Sequence, residues 1–238
     1  MMWSVEFARI YSKICGDGCL SGRYVRYSNK NPDLLKEFAS DVRKEFGNIT
    51  LTKGATNSGT SFLQFHTKSI INEFKKLGNY KSSQIRIHKD LYQSDKEILS
   101  EFIRSFYDDE GSVCLRLYTK TKEWKRSIAL SSNSRVFLHD IKYILKKIFK
   151  IKTNKIIRSH AKSSYDKTYT LTITGKGNIE RYSKQINFLS KLKRKELRLI
   201  IESYGKTYHR NREGFNIIKN SLFSLREEKR KFYKGTSS

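Results

Sequence analysis

Hydrophobic side chains recur with the spacing of an amphipathic helix in two similar segments of the chain. In residues 3–18 the apolar positions share one helical face, and the segment ends in an acid followed by glycine, Asp17-Gly18. Residues 95–110 repeat this arrangement and are followed by glycine as well, at Glu110-Gly111. The pattern therefore predicts two related helices, each with an acid at its carboxyl end.

Local sequence also predicts where these helices begin and end. Ser94 and Glu97 have the spacing of a capping box, which places the start of the second helix there. Gly18 and Gly111 follow the acids, and glycine just past a helix commonly takes the left-handed conformation at little cost. Each helix is therefore expected to stop at its glycine, with the acid in its last turn.

Two further pairs of segments extend the similarity between the copies. Residues 31–47 and 134–150 share apolar positions at an offset of 103, and residues 63–74 and 171–182 share them at an offset of 108. The two acids lie 93 positions apart, so the offset grows along the chain, as loop insertions in the second copy would produce. The first insertion is expected near Lys120–Lys125. Three matches in the same order indicate an internal duplication.

Between the helices, apolar side chains alternate with polar ones, as in residues 113–118 and 168–174. A period of two predicts strands with one packed face and one polar face. The expected fold is α+β, with tandem αββαββα repeats. We divide the chain into a first repeat, 1–92, a second repeat, 93–205, and a basic carboxyl-terminal extension, 206–238, in which a helix is predicted over 215–232 with Ile217, Ile218, Leu222 and Leu225 on one face.

The charge of the chain indicates a partner. The 238 residues include 49 Lys and Arg against 23 Asp and Glu, a formal net charge of +26 that is spread over every segment. A compact fold with this charge repels itself, and binding to a polyanion, with release of its counterions, relieves the repulsion. Nucleic acid is therefore the expected partner. A generally basic surface, as on ribosome-associated proteins, is the simpler alternative.

Neither a membrane nor an oxidising compartment is expected. No run of about 18 apolar residues occurs, and the first residues lack a basic segment followed by an apolar one. Cys15, Cys19 and Cys114 are too few for a disulfide framework and lack the partners of a zinc set, so small packing roles are expected. We expect a cytoplasmic protein of a prokaryote, with an organelle as the alternative.

Asp17 and Glu110 occupy an unfavourable place for an acid. The carboxyl end of a helix carries partial negative charge, which disfavours an acid there by about 0.3–1 kcal/mol. An ordinary helix-ending turn explains one such acid, whereas the same misfit at equivalent positions of a duplication indicates a bound cation. If the helices pair through the small Ser12 and Ser105, both acids meet at one end and share a divalent metal. Oxygen ligands favour Mg²⁺.

The second acid-bearing segment also carries a family motif. Residues 103–111, IRSFYDDEG, resemble the LAGLIDADG motif in its variant LRGFFDAEG, and residues 10–18, IYSKICGDG, are a more diverged copy. On these residues the chain is similar to the single-chain, two-repeat LAGLIDADG homing endonucleases of the archaeal intron-encoded type. The resemblance implies a pseudo-twofold monomer with a saddle-shaped pair of antiparallel sheets. These sheets would lie over the major groove of double-stranded DNA at a long, largely asymmetric target site.

The same resemblance implies an activity and its residues. The expected reaction is site-specific, metal-dependent cleavage of both DNA strands across the minor groove, leaving short 3′ overhangs, as in intron homing. Mg²⁺ is the expected cofactor, with Mn²⁺ as a substitute. The catalytic acids are Asp17 and Glu110, and Gly16 and Asp109 complete the metal set. The side chains of Asp108 and Asp109 are otherwise expected to be solvated or to cap a helix. Auxiliary catalytic positions fall on Asn29, which Ser132 matches, and on His66, Lys68 and Lys176.

DNA contacts are expected on the polar faces of the strands. Arg and Lys suit guanine edges or phosphates, and fewer than half of the contacts are expected to read bases. The expected residues are Arg23, Tyr24, Arg26, Tyr27 and Lys30 in the first copy and Arg116, Tyr118, Lys120, Lys125, Arg126, Lys155 and Arg158 in the second.

Other functions stay open at this point. An intron RNA maturase, or a DNA- or RNA-binding module of the same fold, would share the resemblance without cutting DNA. A generic basic RNA-binding protein would have no use for duplicated acids. The presence of both acids favours the endonuclease. Intein splicing is not expected, because no splice-junction residues bracket the chain.

Overall fold

The computed structural model describes residues 3–57, 59–158 and 167–235. The first copy of the duplication contains three helices and four strands, followed by a short 3-10 helix, Lys89–Gln93. These elements are α1 (Val5–Cys15), β1 (Gly18–Leu20), β2 (Val25–Ser28), α2 (Pro32–Phe46), β3 (Thr52–Ala55), β4 (Ser61–Phe65) and α3 (Lys68–Lys76).

The second copy repeats this order and then adds two helices. It contains α4 (Lys96–Glu110), β5 (Gly111–Tyr118), β6 (Glu123–Ser132), α5 (Arg135–Lys147), β7 (Ile157–Arg158), β8 (Tyr169–Ile173), α6 (Lys176–Gln185), α7 (Lys191–Glu202) and α8 (Arg212–Gly235). The predicted αββαββα order is confirmed. The turn between β5 and β6 falls where the insertion was expected.

Several helices begin after a residue whose side chain caps them. Asn31 accepts a hydrogen bond from the backbone N–H of Asp33 at the start of α2, and Ser134 accepts one from Phe137 at the start of α5. The expected capping box of α4 is wrong. Ser94 ends the preceding 3-10 helix, and Asp95 is the residue that precedes α4, without a side-chain cap.

The strands form two four-stranded antiparallel sheets of matching topology. Their strand orders are β1-β2-β4-β3 and β5-β6-β8-β7. In β2 the side chains of Val25 and Tyr27 are fully buried against the helices, whereas the alternating Arg26 lies on the opposite side. We call this opposite side of each sheet its open face. Two sheets of the same topology in one chain confirm the duplication.

The two acid-bearing helices, α1 and α4, pack against each other through small side chains. Ser12 and Ser105 are both fully buried at this contact. The hydroxyl of Ser12 donates to the carbonyl oxygen of Phe102 at 2.8 Å, and that of Ser105 donates to Arg9 at 3.4 Å. Bonds from serine hydroxyls to the backbone of the facing helix require close approach of the helices. The predicted pairing is therefore correct, and it brings the carboxyl ends of α1 and α4 together.

The glycines after the acids have a different role from the one expected. Gly111 has φ −86° and ψ 152°, an extended conformation that begins β5, and Gly18 likewise begins β1. A Cβ on Gly111 would lie 2.4 Å from the carbonyl oxygen of Tyr107, and one on Gly18 would lie 2.6 Å from the carbonyl oxygen of Lys13. Glycine is therefore required at both positions because β1 and β5 begin in close contact with the last turn of the preceding helix. A left-handed conformation is not the reason.

Helix α8 packs on the body of the second copy. Phe215, Ile218, Leu222 and Leu225 are buried, and the ring of Phe215 lies 5.2 Å from that of Trp124 in β6. The helix predicted in the extension is confirmed, and so are three of the four residues assigned to its apolar face. Ile217 is the exception, since it is 53% exposed.

Two further predictions concern membrane-spanning helices and the cysteines. Within residues 3–57, 59–158 and 167–235, no helix is long and apolar enough to cross a membrane. All three cysteines are free thiols, and Cys15 is buried as predicted. Cys19 is exposed on the open face of the first sheet, opposite Arg26, so a packing role for it is wrong.

Candidate functional site

Asp17 lies in the turn between α1 and β1, beside a cavity of about 450 Å³. Its Oδ2 accepts a hydrogen bond of 2.9 Å from the Asn29 amide. The same amide lies 3.3 Å from Oδ1 of Asp109, which also accepts a bond of 2.5 Å from the hydroxyl of Tyr27. This cavity, which we call the Asp17 cavity, therefore brings together carboxylates from both copies, because Asp108 lines it as well. Lys193 of α7 also lines it.

Glu110, the last residue of α4, lines a second cavity of about 250 Å³, which we call the Glu110 cavity. Gly16 and Cys15 contribute to its wall from the first copy, and Ser132 and Asn133 contribute from the second. This lining contains fewer charged side chains than that of the Asp17 cavity.

One cation shared between Asp17 and Glu110 stays a prediction. Each acid lines a cavity of its own. Each acid shares its cavity with the residue that precedes the acid of the other copy, so Asp17 lies with Asp109 and Glu110 lies with Gly16. These four positions are the predicted metal set, arranged as two pairs.

The carboxyl groups of the site hold their protons more strongly than usual. Burial raises the pKa of Asp17 to about 6, with a further contribution from the negative charge of Glu110. Burial raises the pKa of Asp109 to about 7, against the opposing effect of Lys13. The pKa of Glu110 is also raised, first by burial and then by Asp109. The site thus concentrates negative charge that the protein compensates only in part.

Asp108, the neighbour of these acids, is a structural residue. Its carboxylate accepts the backbone N–H groups of Leu189 and Ser190 at 2.8 and 3.0 Å, at the start of α7, and it pairs with Arg104 at 2.9 Å. Of the two roles expected for Asp108, capping is correct and solvation is wrong, because the residue is buried. The side chain of Asp109 is not solvated either, since its Oδ2 is buried.

Two lysines that the sequence did not single out lie close to the acids. The fully buried Lys13 places its Nζ 3.0 Å from Glu37 and 4.7 Å from the centre of the Tyr27 ring. Lys193 donates from Nζ to the carbonyl oxygens of Tyr107 and Asp108 at 3.0 and 2.5 Å. Both lysines lower the pKa of Asp17. The sequence offers a signal for Lys13, because a charged residue stands out on the apolar face of α1. It offers none for Lys193, which lies outside the duplicated motifs.

The donor set of the site fits a hard divalent cation. Oδ2 of Asp109 is buried without a hydrogen-bond partner, and Asp17 and Glu110 supply further carboxylate oxygens. In the described part of the chain, no three His, Cys, Asp or Glu side chains converge into a complete metal site. A cation bound here would therefore take its remaining ligands from water and phosphate, a mixture that Mg²⁺ favours.

The predicted auxiliary residues divide into two groups. Asn29 bonds to Asp17, and its match Ser132 lines the Glu110 cavity. By contrast, His66 is exposed and contacts the Gln64 amide and the backbone of Arg23, each at 3.2 Å. Lys68 and Lys176 are exposed first residues of α3 and α6, and like His66 they lie outside the lining of both acid cavities.

The open faces of the sheets carry many of the residues predicted to contact DNA. Arg26 lies between the rings of Tyr24 and Phe62, 4.6 and 4.2 Å from their centres, and donates from Nε to Gln64 at 2.9 Å. In the second sheet Arg116 pairs in register with Lys125, next to the exposed Tyr118. The remaining exposed positions are Arg23 and Lys30 near β2, Lys120 in the β5–β6 turn, and Lys155 and Arg158 at the β7 edge.

Two of the residues predicted to contact DNA face the other way. Tyr27 is fully buried and bonds to Asp109, because its position in β2 alternates toward the helices. Arg126 lies on the helix-covered side of β6, where it donates to the hydroxyl and the carbonyl of Ser203 at 2.7 and 2.8 Å. Both predictions are wrong, because the alternation of the strand puts these side chains inside.

Paired acid-bearing helices above two sheets of identical topology define the class of this protein as a duplicated αββαββα fold. Residues 97–187, in the second copy, match the model of the LAGLIDADG-like domain. The homing endonuclease I-DmoI, in complex with DNA and Mn, has a TM-score of 0.55 at 13% identity, over 77% of this chain and 96% of that one. I-WcaI bound to its DNA recognition sequence has a TM-score of 0.51 at 12% identity, over 83% and 88%. The second copy of the chain therefore matches a LAGLIDADG-like domain, and the chain shares the fold of these homing endonucleases.

Two curated relatives match most of this chain, but only over a small part of their own length. The probable translation initiation factor IF-2 of Methanocaldococcus jannaschii is 29% identical over 201 residues, which is 81% of this chain and 16% of that protein. The glutamine–fructose-6-phosphate aminotransferase of the same organism is 22% identical over 206 residues, 82% and 17%. The chain thus spans about a sixth of these relatives.

Proposed function

We propose that this chain is a site-specific, metal-dependent endonuclease that cuts both strands of double-stranded DNA. The observation that carries the proposal is the pair of cavities at the end of the α1–α4 contact, each holding one acid, Asp17 or Glu110. A duplex has two strands to cut, and a duplicated acid beside each of two cavities matches that number. The acids would hold Mg²⁺, with Mn²⁺ as a substitute.

The chain's own residues position the reacting groups. Asn29 holds Asp17 through the hydrogen bond to its Oδ2. Asp109 and Gly16 face the acids of the opposite copies. A bound divalent ion supplies the Lewis acid that polarises the scissile phosphate and activates water. Burial and neighbouring negative charge raise the pKa values of Asp17 and Glu110, and a bound cation would favour the ionised forms of both acids.

The sheets would hold the duplex. The net charge of +26 favours a polyanion, and the open faces present Arg26, Arg116, Tyr118 and Lys125 on two adjoining surfaces. Solved relatives of this fold are described as complexes of I-DmoI with DNA and Mn or Ca. We extend that partner class to this chain, with binding by a monomer at a long, largely asymmetric site. Cleavage across the minor groove would leave short 3′ overhangs, as in intron homing. Both curated relatives come from Methanocaldococcus jannaschii, which supports an archaeal source, and we extend the proposal to a cytoplasmic setting.

An RNA maturase or a binding module of the same fold is the second candidate. The retention of both acids favours the nuclease, because neither alternative requires two carboxyl groups whose pKa is raised by burial. Splicing of an intron by a variant that lacks both acids would support the maturase.

Digestion of a DNA library that carries randomised insertion sites, in the presence of Mg²⁺, tests the proposal. We expect the wild type to select and linearise a defined site. Asp17→Asn and Glu110→Gln should bind that site in Ca²⁺ with unchanged affinity yet each lose cleavage of one strand. Lys44→Met, at an exposed position of α2 outside both cavities, is the matched control and should still cut both strands. Cleavage at the wild-type rate by either acid variant would remove that acid from the mechanism.

A further inference from the structure

One side of α8 carries a row of basic and aromatic residues. Its members follow one another at intervals of four or three positions, which places them on one face of a helix. We call this row the basic–aromatic face, and it consists of Lys219, Phe223, Arg226, Arg230 and Tyr233. All of its members are exposed, and the apolar Phe223 is 55% exposed. Packing within the protein therefore does not account for this face.

Other sides of α8 hold the helix against the body of the protein. Leu222 belongs to the buried side, which packs on the second copy. Ser221, Ser224 and Glu228 line a groove that α8 forms with α7, and Glu228 pairs there with Lys195 at 2.5 Å. The helix is thus fixed on two sides, and this leaves the basic–aromatic face turned away from α7.

The basic–aromatic face lies beside the edge of the second sheet. Strand β5 forms this edge, and its residues Ser112 and Arg116 belong to the open face, because they alternate with buried ones. Arg226 of α8 lines a cavity of about 340 Å³ together with these two residues. The carboxylate of Glu196 also lines this cavity, but it pairs with Lys229 at 2.8 Å. Helix α8 therefore adds an arginine next to the open face, at the border of the sheet.

The two ends of α8 show the direction in which this border runs. Near its start, Phe215 contacts Trp124, which pairs in register with Leu117 close to the turn between β5 and β6. Near its end, Tyr233 lines the Asp17 cavity. The basic–aromatic face extends over 14 positions from Lys219 to Tyr233, or roughly 21 Å at about 1.5 Å per residue. It therefore follows the edge of the sheet from the hairpin toward the candidate site.

We propose that the basic–aromatic face of α8 binds the phosphate backbone of the DNA duplex that lies on the second sheet. The proposal rests on the DNA partner proposed above. The face carries three cations that match a polyanion, and it continues the open face across the edge of the sheet. Arg230 pairs with Glu227, but both side chains are exposed and such a pair contributes little, so a phosphate can replace the carboxylate. Because phosphate contacts position a duplex without reading its bases, the face should strengthen binding to any sequence.

The salt dependence of binding tests this inference without any cleavage. Binding of the full chain to a dye-labelled duplex of arbitrary sequence is measured in EDTA by fluorescence anisotropy, between about 50 and 200 mM salt. Each phosphate contact contributes about 0.9 to the slope of log affinity against log salt, so Lys219→Gln/Arg226→Gln should reduce that slope by about 2. The affinity should fall by about 10–100-fold at the lower salt concentrations, and less at the higher ones.

A matched control and a map of the contacted phosphates locate the effect. Arg198→Gln/Lys231→Gln removes the same two kinds of charge from exposed positions of α7 and α8 outside the face, and it should leave the slope almost unchanged. Ethylation interference on the site selected from the library, with Ca²⁺ present, then shows which phosphates the Lys219→Gln/Arg226→Gln variant no longer contacts. We expect them on one side of the scissile bonds. Tyr233→Ala should lose only those nearest to the bond that Asp17→Asn leaves uncut.

Three results would overturn the inference. The first is a slope that is the same for Lys219→Gln/Arg226→Gln and the wild type, and the second is a control variant that loses as much as this one. The third is an effect on the binding of RNA but not of duplex DNA. Because the salt dependence is measured without a metal and on an arbitrary duplex, a wild type that cuts no library site would refute the endonuclease alone.

Discussion

Replacement of Asp109 by Asn should make the protein more stable at alkaline pH, although it removes a residue of the site. The carboxyl group bonds through Oδ1 to Tyr27, and its Oδ2 is buried without a hydrogen-bond partner. Ionisation in this place is costly, which is why burial raises the pKa of Asp109 to about 7 from the ordinary value of 3.8. An amide has the same shape, can still accept the Tyr27 hydroxyl, and carries no charge.

The size and the pH range of the effect follow from this pKa. Below pH 3.8 the carboxyl group is protonated in both the folded and the unfolded chain, and it has no electrostatic cost. As the pH rises toward 7, the unfolded chain loses the proton while the folded chain keeps it, so the stability of the wild type falls. Each unit of pKa corresponds to about 1.4 kcal/mol. Allowing for relaxation around Asp109, we expect the advantage of Asp109→Asn to grow by about 1–3 kcal/mol between pH 5 and pH 8.

Guanidinium denaturation at these two pH values, with EDTA present, measures the effect. Asp33→Asn, at a more exposed carboxylate, serves as the control and should show no comparable change between the two pH values. Addition of Mg²⁺ should then stabilise the wild type more than Asp109→Asn, because the cation compensates the charge that the amide lacks. A difference between variant and wild type that stays constant from pH 5 to pH 8 would refute the idea that Asp109 carries its proton in the folded chain.

Three other substitutions test the packing that positions the site, each by denaturation. Gly111→Ala should lower the free energy of unfolding by about 1–3 kcal/mol, because the added Cβ would lie 2.4 Å from a carbonyl oxygen of α4. Gly22→Ala is its control and should change that free energy little, because the atom nearest to the added Cβ would be 4.0 Å away. Arg104→Met should cost about 3–5 kcal/mol by leaving the buried Asp108 without its partner; a neutral effect would show that the pair is dispensable. Phe215→Ala should cost about 3–5 kcal/mol if α8 is part of the folded body, and almost nothing if it is a loosely attached tail.

The sequence predicted the elements of the fold because their signals are local and repeated. Apolar positions with helical spacing recur in both copies, and α2 and α5 begin where the matched segments 31–47 and 134–150 begin, at the capping residues Asn31 and Ser134. The pairing of the acid-bearing helices could be predicted from Ser12 and Ser105, since only small side chains admit so close a contact. Duplication helped throughout, because each weak signal appeared twice.

Features that depend on long-range packing were missed. The sequence cannot show that the acids line separate cavities, because this depends on how the strands leave the helices at Gly18 and Gly111. The sequence predicted the wrong face for Tyr27, because β2 is too short to show a clear alternation. It also predicted the wrong face for Arg126, because this polar side chain of β6 bonds to Ser203 at the end of a helix instead of facing solvent. Lys193 is separated from Asp17 by most of the chain, and a single lysine in a basic helix carries no local signal.

The unequal lengths of the two hairpins have a consequence for the footprint on DNA. Strands β5 and β6 have 8 and 10 residues, whereas β1 and β2 have 3 and 4. At about 3.3 Å per residue, the longer hairpin reaches roughly twice as far along a groove as the shorter one. A protected segment of duplex would therefore extend further on one flank of the scissile bonds than on the other. The bases on the short flank would then tolerate more sequence drift than those on the long flank.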